Sequence, residues 1–218
     1  MKIRGCDVSL HHLKTYEKDR TTMLSLDHPM LLGIQQFAVF SEEDLQALSQ
    51  YFKPISYEKD TIILNIGEVN DRLYFVEEGV LQEFSYQEEE EQVNTHWLMP
   101  EGSFVYSTIS FINEVPTEMG IKAIEKVNLL YITKEDLQIL FEKVPQMERV
   151  GRLVTEQNLI TYEKFLLLIR YRSSEEKLAW FEETFPTLVN RVPQKYIASY
   201  LNIRPETLSR VRSKRAER

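Results

Sequence analysis

The sequence predicts an α+β protein in which an antiparallel β-roll is joined by one long helix to a short, basic pair of C-terminal helices. Three observations support this fold class. Short β-rich runs follow one another between residues 61 and 132 at roughly ten-residue spacing, without helices between them. A helical pattern then continues from residue 145 to residue 172. Finally, residues 190–218 contain eight Lys and Arg against two Glu, in a chain whose net charge is −8.

Length and composition suit two modest domains, because 218 residues with 43% hydrophobic content can fill a core in each. We expect a chain of four parts: an N-terminal extension (1–28), the β-roll (29–144), the long helix (145–172) and the basic helical end (173–218). The lack of a long apolar run and of a signal peptide predicts a cytoplasmic protein with no membrane partner. A single cysteine, Cys6, excludes a disulfide framework, and we expect no metal and no cofactor.

The roll begins with a helical pattern over residues 29–52, where Ser41 followed by Asp44 is typical of a helix cap. Gly67, Gly79 and Gly102 stand where corners with a left-handed or crowded backbone are expected. The acidic run at residues 88–91 is interpreted as a solvated hairpin tip. The six predicted strands are residues 61–66, 72–77, 79–86, 93–99, 118–125 and 127–132.

The long helix has the 4-3-4-3 spacing of a coiled-coil seam, which predicts a dimer. A second set of apolar residues lies outside the seam, so one side can cover the roll while another meets a partner. The alternative is a helix that packs only within its own chain. The predicted seam consists of Met147, Gly151, Val154, Asn158, Thr161, Phe165 and Leu168, and the apolar residues outside it are Leu153, Ile160, Leu166, Leu167 and Ile169.

Two short apolar faces on either side of Asn202 predict two helices joined by a turn, since Asn tolerates the left-handed backbone of a tight turn. Ala198 is small enough for the helices to cross closely. Pro205 suits the first position of the second helix, where a backbone N–H is not required. The apolar residues that define these faces are Ile197, Ala198, Leu201, Ile203, Leu208 and Val211.

These residues, with Pro205-Glu206-Thr207-Leu208-Ser209-Arg210-Val211, resemble the helix-turn-helix of the Crp/Fnr family of bacterial transcription regulators. The resemblance implies a homodimer on double-stranded DNA, with RNA polymerase as a candidate partner. It also implies that Glu206 and Arg210 read base edges, with Thr207 beside them, because Arg can donate to guanine and Glu can accept from cytosine. The alternative interpretation of Glu206 and Arg210 is an ordinary i,i+4 ion pair.

Basic and polar side chains around the two helices are expected to contact DNA phosphates and to fix the register on the duplex. Before these helices, Ser173 and Glu176 predict the cap of another helix, and residues 184–194 are interpreted as a short β connection, the wing of a winged helix-turn-helix. The expected phosphate contacts are Gln194, Lys195, Arg204, Arg212, Lys214 and Arg215.

The roll resembles a cyclic-nucleotide-binding domain in the pattern Gly67-Glu68, Leu73-Tyr74-Phe75-Val76, Gly79 and Leu81. In that family a Glu meets the ribose and an Arg pairs with the phosphate. Here Tyr106 and Ser107 stand where the family has Gly-Glu, and Thr117 stands where the Arg is expected.

Loss of the Arg–phosphate pair predicts weak or no cyclic AMP binding. We expect an uncharged effector, an effector bound elsewhere, or none. The candidate pocket residues, whose alternative role is that of surface or capping hydroxyls, are Tyr106, Ser107, Thr108 and Thr117.

The predicted function is therefore a dimeric DNA-binding regulator with a palindromic operator and a sensor roll. An enzyme is not expected, because the four His are dispersed and no catalytic motif is present. A sensor of cyclic nucleotides or other small molecules that acts through protein contacts is the alternative.

Overall fold

The computed structural model describes residues 24–87 and 90–216. Within them the chain forms a β-roll flanked by helices, a long helix, and a C-terminal group of three helices. The elements are α1 (Pro29–Gln35), α2 (Glu42–Tyr51), β1 (Lys53–Tyr57), β2 (Ile62–Leu64), β3 (Arg72–Glu78), β4 (Leu81–Gln87), β5 (Glu90–Met99), β6 (Phe104–Val105), α3 (Thr108–Asn113), β7 (Gly120–Ala123), β8 (Val127–Thr133), α4 (Lys134–Lys143), α5 (Gln146–Tyr171), α6 (Ser174–Thr184), α7 (Gln194–Tyr200) and α8 (Pro205–Ala216).

Two four-stranded antiparallel sheets face each other to form the roll. Their strand orders are β1-β8-β3-β6 and β2-β7-β4-β5. Side chains that alternate along the strands enclose a core between the sheets. Leu81, Met99 and Ala123 contribute to this core from three neighbouring strands of one sheet, and Val76 and Leu129 contribute from the other. The predicted α+β roll is thereby confirmed.

Four elements of the roll region were not predicted from the sequence: β1, β6, α3 and α4. The first strand begins directly after α2 and pairs with β8 along its whole length. Its two buried residues, Ile55 and Tyr57, alternate with more exposed ones, but Pro54 obscures this pattern. The two-residue strand β6 is formed only by pairing with β3, so its own sequence contains too little signal.

The predicted helix caps are present. The hydroxyl of Ser41 accepts a hydrogen bond from the backbone N–H of Asp44, whose carboxylate accepts one from the backbone N–H of Ser41. Ser173 and Glu176 form the same reciprocal arrangement at the start of α6. Each pair satisfies backbone donors that would otherwise lack partners at a helix start.

The predicted glycine corners also have the expected backbone, since Gly67, Gly79 and Gly102 have φ values of 90°, 96° and 84°. At Gly79 the requirement is also steric, because a Cβ atom would lie 2.5 Å from the backbone oxygen of Lys126. This close approach lets the turn between β3 and β4 pack against the start of β8.

The long helix α5 packs both ends of its predicted seam against its own chain, whereas Asn158 in the middle of the seam is exposed. Met147 is buried, and Val154 packs against the same apolar cluster as α1, α2 and α4. Further along, Phe165 contacts the aromatic cluster between the roll and the C-terminal helices. The exposed apolar residues instead lie on other faces of the helix, including Ile160 and Leu167. Seam spacing alone could not distinguish the side that covers the roll from the side that is free.

The predicted wing is not formed, because the described residues between α6 and α7 contain no strand. Leu188 and Val192 are buried in this connection, and its backbone groups bond one another: the N–H groups of Arg191 and Val192 both donate to the carbonyl of Leu188. A compact series of turns therefore replaces the expected β connection, and the second strand needed for a ladder is missing from this part of the chain.

The N-terminal extension lies outside the described residues up to position 23, and so does Cys6. Its last residue, His28, caps α1 and lies 2.8 Å from a carboxylate oxygen of Glu77. Strands β4 and β5 flank the predicted hairpin tip, of which residues 88 and 89 are also outside the described part. None of the described helices is long and apolar enough to cross a membrane.

Candidate nucleic-acid interface and effector pocket

The last two helices meet at a tight turn that the sequence predicted in detail. Asn202 has the left-handed φ of 49°, and the N–H of Ile203 donates to the carbonyl of Ala198 at 2.9 Å. Four side chains at this junction have no exposed surface: Ile197, Ala198, Leu201 and Leu208. They pack with α6 in a single apolar cluster. The cluster fixes α8 relative to α7 and leaves the opposite side of α8 to solvent.

The free side of α8 presents the predicted base-reading residues. Glu206 and Arg210 are exposed, and Thr207 is half-buried. Glu206 does not form an ion pair with Arg210 or with any other described residue. The alternative interpretation of these two side chains as an i,i+4 pair is therefore not what the structure contains. Both groups remain available to an external partner.

Exposed polar and basic side chains surround this surface. Gln194, Lys195, Arg204 and Lys214 are exposed, at the start of α7 and at both ends of α8. No ion pair holds these four side chains within the described part of the chain, so they can reach a polyanion without breaking one. The ammonium of Lys195 lies over the Tyr196 ring, 5.0 Å from its centroid.

Arg215 and Arg212 differ from this group. The Arg215 guanidinium donates to Glu182 at 2.7 Å and to the backbone carbonyl of Glu175 at 3.2 Å, so it is held against α6. This correction to the predicted phosphate contacts follows from two acidic residues on a neighbouring helix. Arg212 is half-buried, and its Nη2 atom is buried with no hydrogen-bond partner among the described residues.

The C-terminal helices are attached to the roll through α7 and the connection before it. The backbone N–H of Thr95 in β5 donates to the hydroxyl of Ser199 in α7 at 2.8 Å. The ring of Tyr200 stacks on Phe165 at 4.6 Å and meets the edge of Trp97 at 5.7 Å. Trp97 therefore contacts α5 and α7 at the same time.

A cleft of two adjoining cavities lies between the roll and α5, with volumes of about 870 and 610 Å³. We refer to them as the larger and the smaller cavity of the roll–helix cleft. The residues that line both cavities are Glu83, Trp97, Thr108, Leu159 and Tyr162.

The predicted effector residues divide between these cavities. Ser107 and Thr117 line the larger cavity, Thr108 lines both, and Tyr106 lines the smaller one and packs against Phe111. The buried hydroxyls of Ser107 and Thr117 lie 2.8 Å apart. Thr117 also donates to the carbonyl of Met119, so its hydroxyl is engaged internally.

Glu83 is the residue of the cleft that the sequence analysis missed. It lies opposite Trp97 in the ladder between β4 and β5 and faces the cleft with it. Burial raises the pKa of its carboxyl to about 7. The sequence could have predicted this position, because residues two apart in a strand point to the same side and Leu81 points into the roll.

Residues 54–144 match the family of the cyclic nucleotide-binding domain. No curated protein matches the sequence. Among solved structures, FixK2 from Bradyrhizobium japonicum is 19% identical, with a TM-score of 0.64 over 75% of this chain and 83% of that chain. The c-di-GMP responsive global regulator CLP of Xanthomonas campestris is 16% identical, with a TM-score of 0.63 over 81% and 92% of the two chains.

A mutant of CooA from Carboxydothermus hydrogenoformans is also 16% identical, with a TM-score of 0.61, and the match covers 86% of this chain and 84% of that chain. At such identities the similarity establishes the fold. The match to the cyclic nucleotide-binding domain family is confined to residues 54–144, and the chain shares its fold with FixK2, CLP and CooA over 75–86% of its length.

Proposed function

We propose that this chain is a DNA-binding transcription regulator that acts as a homodimer on a two-fold symmetric operator. The observation that supports this most directly is the surface of α8. Its exposed Glu206 and Arg210 lie four residues apart on a helix whose opposite side is locked into an apolar cluster. A rigid helix with unpaired, complementary hydrogen-bonding groups suits the major groove of duplex DNA.

Arg210 would donate two hydrogen bonds to a guanine, and Glu206 would accept one from a cytosine amino group. Thr207 lies between them and can contact a thymine methyl group. The exposed Gln194, Lys195, Arg204 and Lys214 would contact phosphates on either side. Binding should therefore weaken steeply with salt, since each neutralised phosphate releases counterions.

The dimer would form through the free face of α5. Ile160, Leu167 and Tyr171 follow one another at intervals of seven and four residues, which places them on one side of the helix. Their exposed fractions are 45%, 50% and 74%. Burial of this stripe against a second copy would remove apolar surface from water. The partner helix would then hold two copies of α8 at a fixed separation.

Cyclic AMP would not be the effector of this regulator. Among the described residues that line the roll–helix cleft there is no Lys or Arg. A phosphate in the cleft would lose its hydration without gaining a cationic partner, which is costly in a partly buried site.

Selection of bound fragments from sheared genomic DNA tests this function. The full-length protein should enrich fragments that share a palindrome, with half-sites centred about one DNA turn apart. Absence of enrichment at low salt would contradict the regulator assignment. It would instead favour a sensor that acts through protein contacts.

A further inference from the structure

The roll–helix cleft contains acidic groups and lacks opposing cations. The carboxylates of Glu83, Glu118 and Glu163 line the larger cavity, and Glu83 also lines the smaller one. His96 is the remaining titratable base, and burial lowers its pKa, so its ring is neutral near pH 7. Among the described residues, the cleft therefore presents only negative charge to a ligand.

Glu83 is the most deeply placed of these carboxylates. No described residue forms a hydrogen bond or an ion pair with it, although burial removes much of its hydration. A half-buried carboxylate without a partner is unfavourable, and in folded proteins such a group calls for an explanation. A cationic ligand that enters the cleft would supply the missing partner.

The wall beside Glu83 is aromatic. Trp97 lies directly opposite Glu83 in the strand ladder, and its ring stacks on Tyr162 with centroids 4.8 Å apart. Phe165 meets the Trp97 ring edge-on at 5.0 Å. The faces of aromatic rings attract cations, and the Trp ring does so most strongly. The attraction increases when water is excluded. An aromatic wall next to an unpaired carboxylate is the arrangement that recognises organic ammonium groups.

We propose that the roll–helix cleft binds an organic cation, an ammonium group on an apolar or aromatic body, with Glu83 as its counter-charge and Trp97 and Tyr162 as its aromatic wall. The role of this cation as an effector rests on the proposed regulator function, whereas the binding itself does not. The apolar body would occupy the larger cavity, beside Leu159 and Ile169. The ligand would then contact Trp97, which also touches Tyr200 of α7.

Isothermal titration of the full-length protein without DNA tests the proposal, using four probes: benzyltrimethylammonium, benzyl alcohol, phenylacetate and cyclic AMP. The ammonium probe should bind at least about tenfold more tightly than the neutral alcohol at pH 8. Phenylacetate and cyclic AMP should bind more weakly than the alcohol. Since no DNA is present, failure of the regulator function would leave this result unaffected.

The Glu83→Gln variant should lose about tenfold in affinity for benzyltrimethylammonium and keep its affinity for benzyl alcohol within about twofold. Glu142→Gln is the matched control, because Glu142 is exposed on α4 and lines neither cavity. The proposal is overturned if the alcohol or an anionic probe binds as tightly as the ammonium probe. Equal losses in the Glu83 and Glu142 variants would also overturn it.

Discussion

The guanidinium of Arg191 forms a two-pronged ion pair with the carboxylate of Glu101, with nitrogen–oxygen distances of 2.6 and 3.2 Å. Arg191 belongs to the connection before α7, and Glu101 follows β5 in the roll, 90 residues earlier. The same guanidinium reaches Glu125. Together with the bond from Thr95 to Ser199, this contact attaches α7 and the connection before it to the roll.

The Arg191→Ala variant should therefore loosen α7 and α8 while the roll stays folded. Because the ion pair is about one-third exposed, we expect a cost of about 1 kcal/mol, which corresponds to roughly fivefold faster amide exchange in these helices. Hydrogen–deuterium exchange read by mass spectrometry measures this. Arg149→Ala, an exposed arginine of α5, is the control. Unchanged exchange in α7 would show that the ion pair does not hold the helices.

Arg210→Ala should reduce affinity for the selected operator by about 1–3 kcal/mol, a loss of roughly five- to 150-fold, and relax the preference for one base. Fluorescence anisotropy with the operator and with single-base variants gives both quantities. Arg215→Ala provides the comparison, because its guanidinium is paired with Glu182 and should contribute little to binding. If both variants bind DNA equally well, the assignment of Arg210 to base reading is wrong.

Leu167→Glu should convert the dimer to a monomer, since it places a charge in the centre of the proposed stripe on α5. Sedimentation velocity should show a single slower species. Leu32→Glu is the matched control, because Leu32 is also 50% exposed but lies on α1. A wild-type protein that is already monomeric, or a variant that stays dimeric, would disprove the proposed interface.

Glu83→Gln should stabilise the protein above neutral pH. The pKa of Glu83 is raised to about 7 in the folded state, so the folded state binds its proton more tightly than the unfolded state. Ionisation of Glu83 therefore lowers the free energy of unfolding as pH rises from about 4.5 to 7. Above that range the loss stays constant. The free energy of unfolding of the variant should exceed that of wild type by up to about 3 kcal/mol at pH 8 and by less than about 1 kcal/mol at pH 5. Urea unfolding at the two pH values measures the difference, and a gain that does not depend on pH would refute the assignment.

Tyr200→Phe should leave the protein as stable as wild type or raise its free energy of unfolding by about 1 kcal/mol. The Tyr200 side chain is buried, and its hydroxyl has no hydrogen-bond partner among the described residues. Tyr74→Phe should have the opposite sign, because the Tyr74 hydroxyl is hydrogen-bonded to Tyr57. Thermal unfolding compares the two variants. A clear loss of stability in Tyr200→Phe would indicate a partner for its hydroxyl.

Local sequence determined the elements whose signals are contained within a few residues. Ser41 with Asp44 and Ser173 with Glu176 marked two helix starts, because a capping box needs only residues three positions apart. Asn202 marked the turn between α7 and α8, because few residues adopt a left-handed backbone at low cost. The alternating strands and the buried faces of the last two helices were likewise readable from periodicity.

Tertiary structure decided which side of each element is used. The seam of α5 faces its own chain because Met147 and Phe165 pack into apolar clusters there. The spacing of the seam residues does not distinguish this packing from packing against a second copy. The wing was replaced by turns, since Leu188 and Val192 are buried by α6 and α7. The isolation of Glu83 and the pairing of Arg215 depend on residues far away in sequence. The spacing of hydrophobic residues predicts whether a segment forms a helix or a strand. Which face of that element is buried depends on the distant segments that pack against it.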